Sequence, residues 1–257
     1  MKHNHIFAAL AGSIAVCTAL TGCASAAPDV NAEQTAAAAA TITLNGGSAS
    51  VQGKGAAVQG TVITISDAGT YRITGTLDDG QIVIDAGKDD AVTLVLDNAN
   101  ISCSNSAGIY AKQAGTTTLL LQDGTQNSVS DAAQYAYPDG GDEPDAAIFA
   151  KDDLTIAGSG TLTVTGSFNN AIGSKDNLLI ESGTLIVTAA NDGLRGRDSV
   201  TITDGNFTID AQGDGIKSNN DCLLYTSHRT ARPRRKHPAR NLPDTRIARY
   251  APGKLPS

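Results

Sequence analysis

One segment recurs along the second half of this chain, and its spacing restricts the available folds more than any other feature. Asp145-Ala-Ala-Ile-Phe-Ala-Lys-Asp-Asp-Leu-Thr-Ile156 aligns with Asn169-Asn-Ala-Ile-Gly-Ser-Lys-Asp-Asn-Leu-Leu-Ile180 and with Asn191-Asp-Gly-Leu-Arg-Gly-Arg-Asp-Ser-Val-Thr-Ile202. A fourth copy begins at Gly213-Asp-Gly-Ile-Lys-Ser-Asn-Asn-Asp221, and Ala107-Gly-Ile-Tyr-Ala-Lys112 is an earlier one. The marker aliphatics Ile148, Ile172, Leu194 and Ile216 are 24, 22 and 22 residues apart. Between markers stand runs such as Thr161-Leu-Thr-Val-Thr165 and Thr184-Leu-Ile-Val-Thr188, preceded by Ser-Gly turns. Alternating Thr, Val, Ile and Leu predicts strands, and the Ser-Gly and Asp-Gly pairs predict turns. No sustained helical period occurs between residues 41 and 221. Short strands joined by turns with no room for crossover helices predict an all-β chain. The expected architecture is a single-stranded right-handed parallel β-helix with rungs of about 22 residues, spanning 41–221 and cut short at its C-terminal end. A leucine-rich repeat lacks support because its Asn ladder and Leu consensus are missing. An antiparallel sandwich would not require regular spacing.

Three segments flank or tether this region. Residues 1–23 read as a lipoprotein signal: Lys2, an apolar run from Ile6 to Leu20, and Leu20-Thr21-Gly22-Cys23 placing a lipidation cysteine at Cys23. The run is short for a membrane span. Residues 24–40 are an Ala-rich tether without apolar periodicity. Residues 222–257 carry nine bases against one acid, Asp244. Taken alone this tail would suggest nucleic-acid binding, but Cys222-Leu-Leu-Tyr-Thr-Ser227 resembles a translated sequencing adapter. The tail is therefore expected to be disordered and foreign to the protein, with no nucleic-acid partner.

Removing leader and tail changes the chemistry available. The whole chain has a net charge of −7, whereas residues 24–221 hold nine bases against 25 acids, a balance of −16. All four His fall in the leader or tail, and Cys103 is the one Cys left in the domain. A domain without His excludes a Ser-His-Asp triad, a Cys-His pair and a His-ligated metal.

Stacking the repeat stacks its polar positions. Asn170, Asp192 and Asp214 would form one ladder, and Asp152, Asp176, Asp198 and Asn220 another, with Asp153 beside the second. Adjacent strands lie about 4.8 Å apart, so stacked carboxylates repel unless a cation sits between them. Hard oxygen donors favour calcium. Asn and Asp also suit solvent-facing turns, which is the competing reading. A basic row, Lys112, Lys151, Lys175 and Arg197, suits sugar carboxylates or hydroxyls, or balances the acidic ladders. The longest non-repetitive segment, Gln122 to Asp145, offers Tyr135 and Tyr137 either as sugar-stacking rings or as parts of a plain insertion. The absence of Trp counts against a flat face for crystalline cellulose.

Thr70-Tyr-Arg-Ile-Thr-Gly-Thr-Leu-Asp-Asp-Gly-Gln-Ile-Val-Ile-Asp85, the Glu143–Asp153 segment and Asn191–Asp198 resemble a bacterial carbohydrate-binding domain family of calcium-containing, surface-attached β-helices. Its members are similar in fold to pectate-type polysaccharide lyases. The resemblance covers roughly residues 60–221 and implies binding of cellulose or acidic sugars with calcium. Resembling lyases abstract a proton with Lys or Arg beside calcium, so the basic row admits a lyase reading. No base stands out from its ladder neighbours, and no catalytic residue is assigned. The expectation is a monomeric, lipid-anchored, extracytoplasmic polysaccharide-binding protein. The alternatives are a calcium-dependent lyase on acidic polysaccharide and a non-catalytic adhesin or wall protein.

Overall fold

A computed structural model describes residues 38–137 and 140–224. The leader with Cys23, nearly all of the tether, and the tail beyond Leu224 lie outside the described residues. The described chain forms twenty-one strands and no helix. They sort into a thirteen-stranded and an eight-stranded sheet.

Each sequence copy contributes one strand to the smaller sheet and two to the larger. Ala146–Ala150 is followed by Asp153–Gly158 and Thr161–Gly166, and Asn170–Ser174 by Asn177–Ile180 and Thr184–Ala189. Successive copies pair in parallel at the repeat offset. Ile148 aligns with Ile172, Leu194 and Ile216, Leu154 with Leu178 and Val200, and Leu162 with Leu185 and Phe207. Alternation along each strand then sends the marker and core aliphatics inward in columns, while Thr side chains face out. Ile148, Leu154, Leu162, Leu178, Leu185 and Leu194 are all buried in one continuous core that begins at Ala40 and reaches Ile202.

The larger sheet curls because one long strand crosses a bend. Ala91–Ser102 pairs through Ala91–Leu96 with Thr116–Leu121, and through Asn100–Ser102 with Gln126–Ser130. The bend falls at Asn98, whose φ of 53° lies in the left-handed region that Asn tolerates. The neighbouring strand Gly69–Leu77 shifts register between Ile73 and Gly75. Gly75 has a φ of +95°, and a Cβ there would stand 2.2 Å from the Leu44 carbonyl oxygen, so glycine is required.

Two antiparallel pairs stand apart from the parallel pattern. Ala40–Gly46 folds back on Ala49–Gly53, and Ala56–Gln59 on Val62–Ile65. Ala49, Val51, Ala56 and Val58 pack half-buried against the N-terminal end of the core. At the other end the pattern runs further than the sequence reading allowed. Asp221–Leu224 pairs in register with Ser199–Ile202, so Cys222 and Leu224 continue the columns of Val200 and Ile202. The first residues of the expected disordered tail are thus a strand, held by backbone pairing while its side chains stay exposed.

Candidate functional site

The marker strands of the smaller sheet present an outer surface on which the basic residues meet. The backbone N–H groups of Lys151, Lys175 and Arg197 donate to the carbonyls of Ala111, Ala150 and Ser174. Lys112, Lys151, Lys175 and Arg197 therefore stand in a column at one end of these strands. Arg195 lies on the same surface, one strand away from Gly173 and two from Phe149. The non-repetitive segment folds back over this surface and brings Asp142, Glu143 and Asp145 to it. Between them lies a cleft of about 200 Å³, lined by those acids with Phe149, Gly173, Ser174, Lys175, Arg195, Arg197 and Asn219.

The charges in the cleft are largely paired. Glu143 bridges two copies, with Oε2 3.3 Å from Lys151 Nζ and Oε1 in contact with Lys175 Nζ. Asp145 Oδ2 lies 3.7 Å from Arg195 and accepts a hydrogen bond from Asn170 Nδ2 at 3.3 Å. Lys112 sits further along the column, on Asp85 at 2.8 Å. Among the described residues Arg197 makes no ion pair, and its side chain is exposed. The three lysines of the row are thus balanced by Asp85 and Glu143, while the charge of Arg197 acts on Asp176 of the ladder beside it. The sequence reading missed Glu143 and Asp145, although the acids clustered at 139–145 in the non-repetitive segment were a usable signal.

Burial pushes the Glu143 carboxyl up, but the ammonium groups of Lys175 and Lys151 outweigh it and hold the group below its ordinary value. A carboxyl with a depressed folded value stabilises above its unfolded pKa of about 4.3 and loses that contribution as pH falls through the folded value. Protection of the Asp142, Glu143 and Asp145 amides, taken relative to the intrinsic exchange rate at each pH, is expected to be higher at pH 7 than below about pH 4. Equal protection at both values would mean that the lysines do not anchor this segment.

The two tyrosines of the segment are internal ties. Tyr135 stacks on Phe168 with ring centroids 4.3 Å apart and donates to Asp131 at 2.6 Å. Tyr137 donates to the Pro144 carbonyl at 2.8 Å, which fixes the approach of Glu143. The sugar-stacking role expected of them has to share rings already half-buried against Phe168.

The ladders use their oxygens differently. Asn170 Oδ1 accepts the backbone N–H of Asp192 at 3.2 Å, and Asp192 Oδ1 accepts that of Asp214 at 3.0 Å. Each side chain thus satisfies the next copy's backbone. Lys217 Nζ stands 3.1 Å from Asp192 Oδ2 and 3.4 Å from Asp214 Oδ2. Asn170 Oδ1 and Asp192 Oδ1 thus serve backbone donors, while Asp192 Oδ2 and Asp214 Oδ2 face the Lys217 ammonium. In the other ladder, Asp153 Oδ1 accepts from the Asn177 backbone and side-chain nitrogens. Asp152 Oδ2 accepts from the Ala114 N–H at 3.3 Å. Asp176 has its carboxyl raised by burial and then by the charges of Asp198, Asp152 and Asp153. That mutual repulsion is what a divalent cation would relieve. Among the described residues no three acidic or His/Cys side chains converge as a formed metal cage.

Residues 59–223 match the carbohydrate-binding domain-containing protein family. The chain belongs to this family. A relative of the same description from Acetivibrio thermocellus is 41% identical over 183 residues, which are 70% of this chain and 64% of the relative. The chain therefore spans just under two thirds of that relative's length. A solved structure, a polysaccharide lyase-like protein from C. thermocellum in its gadolinium derivative, superposes with a TM-score of 0.70 at 39% identity. The match covers 72% of this chain and 78% of that one.

Proposed function

We propose that this chain is a polysaccharide-binding protein of the cell envelope, held by a lipid at Cys23, whose domain is a right-handed parallel β-helix. The parallel register of successive copies and the likeness to a polysaccharide lyase-like structure support that architecture. One observation carries the function: Lys175, Arg195 and Arg197, basic side chains of two successive copies, meet in an open cleft on one surface, and Lys151 stands beside it in the same column. Guanidinium and ammonium groups spaced along a sheet suit a chain of repeating acidic sugars, and Asp142 and Asp145 beside them suit its hydroxyls.

The domain's charge of −16 repels a polyanion at long range. Calcium held along Asp152, Asp176 and Asp198 would supply local positive charge, and the raised Asp176 carboxyl supports that placement. These residues would hold the ion, while the cleft itself contributes fixed cations and hydrogen-bond donors.

The test is affinity electrophoresis of the protein in gels containing polygalacturonate, with calcium or with a chelator. Retardation is expected, stronger with calcium. The double variant Arg195→Ala/Arg197→Ala should weaken it at least tenfold, since a hydrogen bond to a charged group contributes about 1.5–3 kcal/mol. Unchanged retardation of that variant would remove the cleft from the account. Release of unsaturated ends, read by ultraviolet absorbance, would favour the lyase reading that the neighbour's description suggests. No retardation with any glycan would leave an adhesin or wall protein.

A further inference from the structure

Glu143 occupies its position in an unusual way for a surface acid. It comes from the one segment that breaks the repeat, yet its two oxygens rest on Lys151 and Lys175, lysines at equivalent places in adjacent copies. Those lysines remain 38% and 36% exposed, and Lys175 lines the cleft. Arg197, unpaired among the described residues, and Asn219 line the same cleft. The stretch leading into Glu143 is bordered by open space: a Cβ added at Gly140 or Gly141 would meet nothing within 4 Å. Beyond it, Tyr137 on Pro144 and the Asn170 N–H on the Asp145 carbonyl hold the chain firmly. A carboxylate is therefore delivered by a braced backbone to a two-lysine site that stays partly open to solvent, so its side chain alone can swing away.

We propose that the Glu143 carboxylate is an internal occupant of an anion site and that a carboxylate of an acidic polysaccharide displaces it to bind Lys151 and Lys175. This rests on the polysaccharide-binding reading above and adds a determinant of selectivity to it. An incoming carboxylate must compete with one the chain already supplies, so Glu143 sets a threshold that only a polymer engaging Arg197 and its neighbours at the same time passes. A neutral glycan, which has no carboxylate to exchange, is indifferent to Glu143.

The experiment compares wild type, Glu143→Gln, Glu143→Ala and Arg195→Ala/Arg197→Ala by affinity electrophoresis in polygalacturonate and in hydroxyethylcellulose, with melting temperatures measured alongside. Both Glu143 variants should bind polygalacturonate about tenfold more tightly than wild type, the scale of one charge-assisted pairing released from competition. Retardation in hydroxyethylcellulose should not change. In wild type, amide exchange of residues 140–145 should accelerate when polygalacturonate is added. Equal or weaker binding by both Glu143 variants, or protection of residues 140–145 on binding, overturns the proposal. If wild type is retarded and the arginine variant is not, that failure belongs to the Glu143 proposal alone. If all four proteins migrate freely in both gels, the polysaccharide-binding reading fails and this proposal fails with it.

Discussion

Replacing Lys217 by methionine is expected to destabilise the protein by about 3 kcal/mol, the lower end for a buried ion pair because Lys217 is itself 40% exposed, and replacing Asp192 by alanine by about 1–2 kcal/mol. The asymmetry follows from burial. Asp192 is 1% exposed, and its Oδ2 is sealed from solvent without a hydrogen bond, so loss of the ammonium leaves a charge that water does not reach. Lys217 is 40% exposed and hydrates when its partner is gone. The alanine variant still loses the acceptor for the Asp214 N–H, which keeps its effect well above that of an ordinary surface change. Urea unfolding of both single variants and of the double variant tests this. The double variant should be more stable than Lys217→Met alone, because it removes the stranded carboxylate. Equal effects of the two single changes would show that Asp192 is not isolated from water.

Leu178→Ala is expected to cost about 2–5 kcal/mol, while Leu179→Ala costs less than about 1 kcal/mol. The two residues are adjacent in the strand Asn177–Ile180, but they face opposite sides of it. Leu178 is fully buried between Leu154 and Val200 of the flanking copies, and Leu179 lies half-exposed between Thr155 and Thr201. Truncating the first opens a cavity that two rigid columns cannot close; truncating the second leaves a space that solvent fills. Comparable losses at both positions, measured by chemical denaturation, would mean that the strand does not keep its alternation.

That pair shows why the strands were legible in the sequence. Alternation is a local property, and the 22-residue offset between Ile172, Leu194 and Ile216 is the register with which those strands pair. The same arithmetic placed Lys151, Lys175 and Arg197 in one column and Asn170, Asp192 and Asp214 in another. The end of the pattern was less legible. Cys222 to Leu224 continue a strand whose first member, Asp221, closes the last recognisable copy.

The use made of those columns came only from the folded chain. Spacing made Asn170, Asp192 and Asp214 neighbours, but could not show that each oxygen satisfies the next backbone N–H, nor that Lys217 lies against two of them. Glu143 reaches Lys151 and Lys175 through a segment with no period at all, and Tyr137 braces it through the Pro144 carbonyl. Tyr135, a candidate for sugar stacking, spends one ring face on Phe168, a residue that no repeat linked to it. Periodic burial of apolar side chains is written in the sequence because every copy solves the same packing problem. The cleft is not, because Asp142 and Glu143 come from the one stretch that no other copy resembles. Its pairings depend on where side chains distant in sequence come to rest.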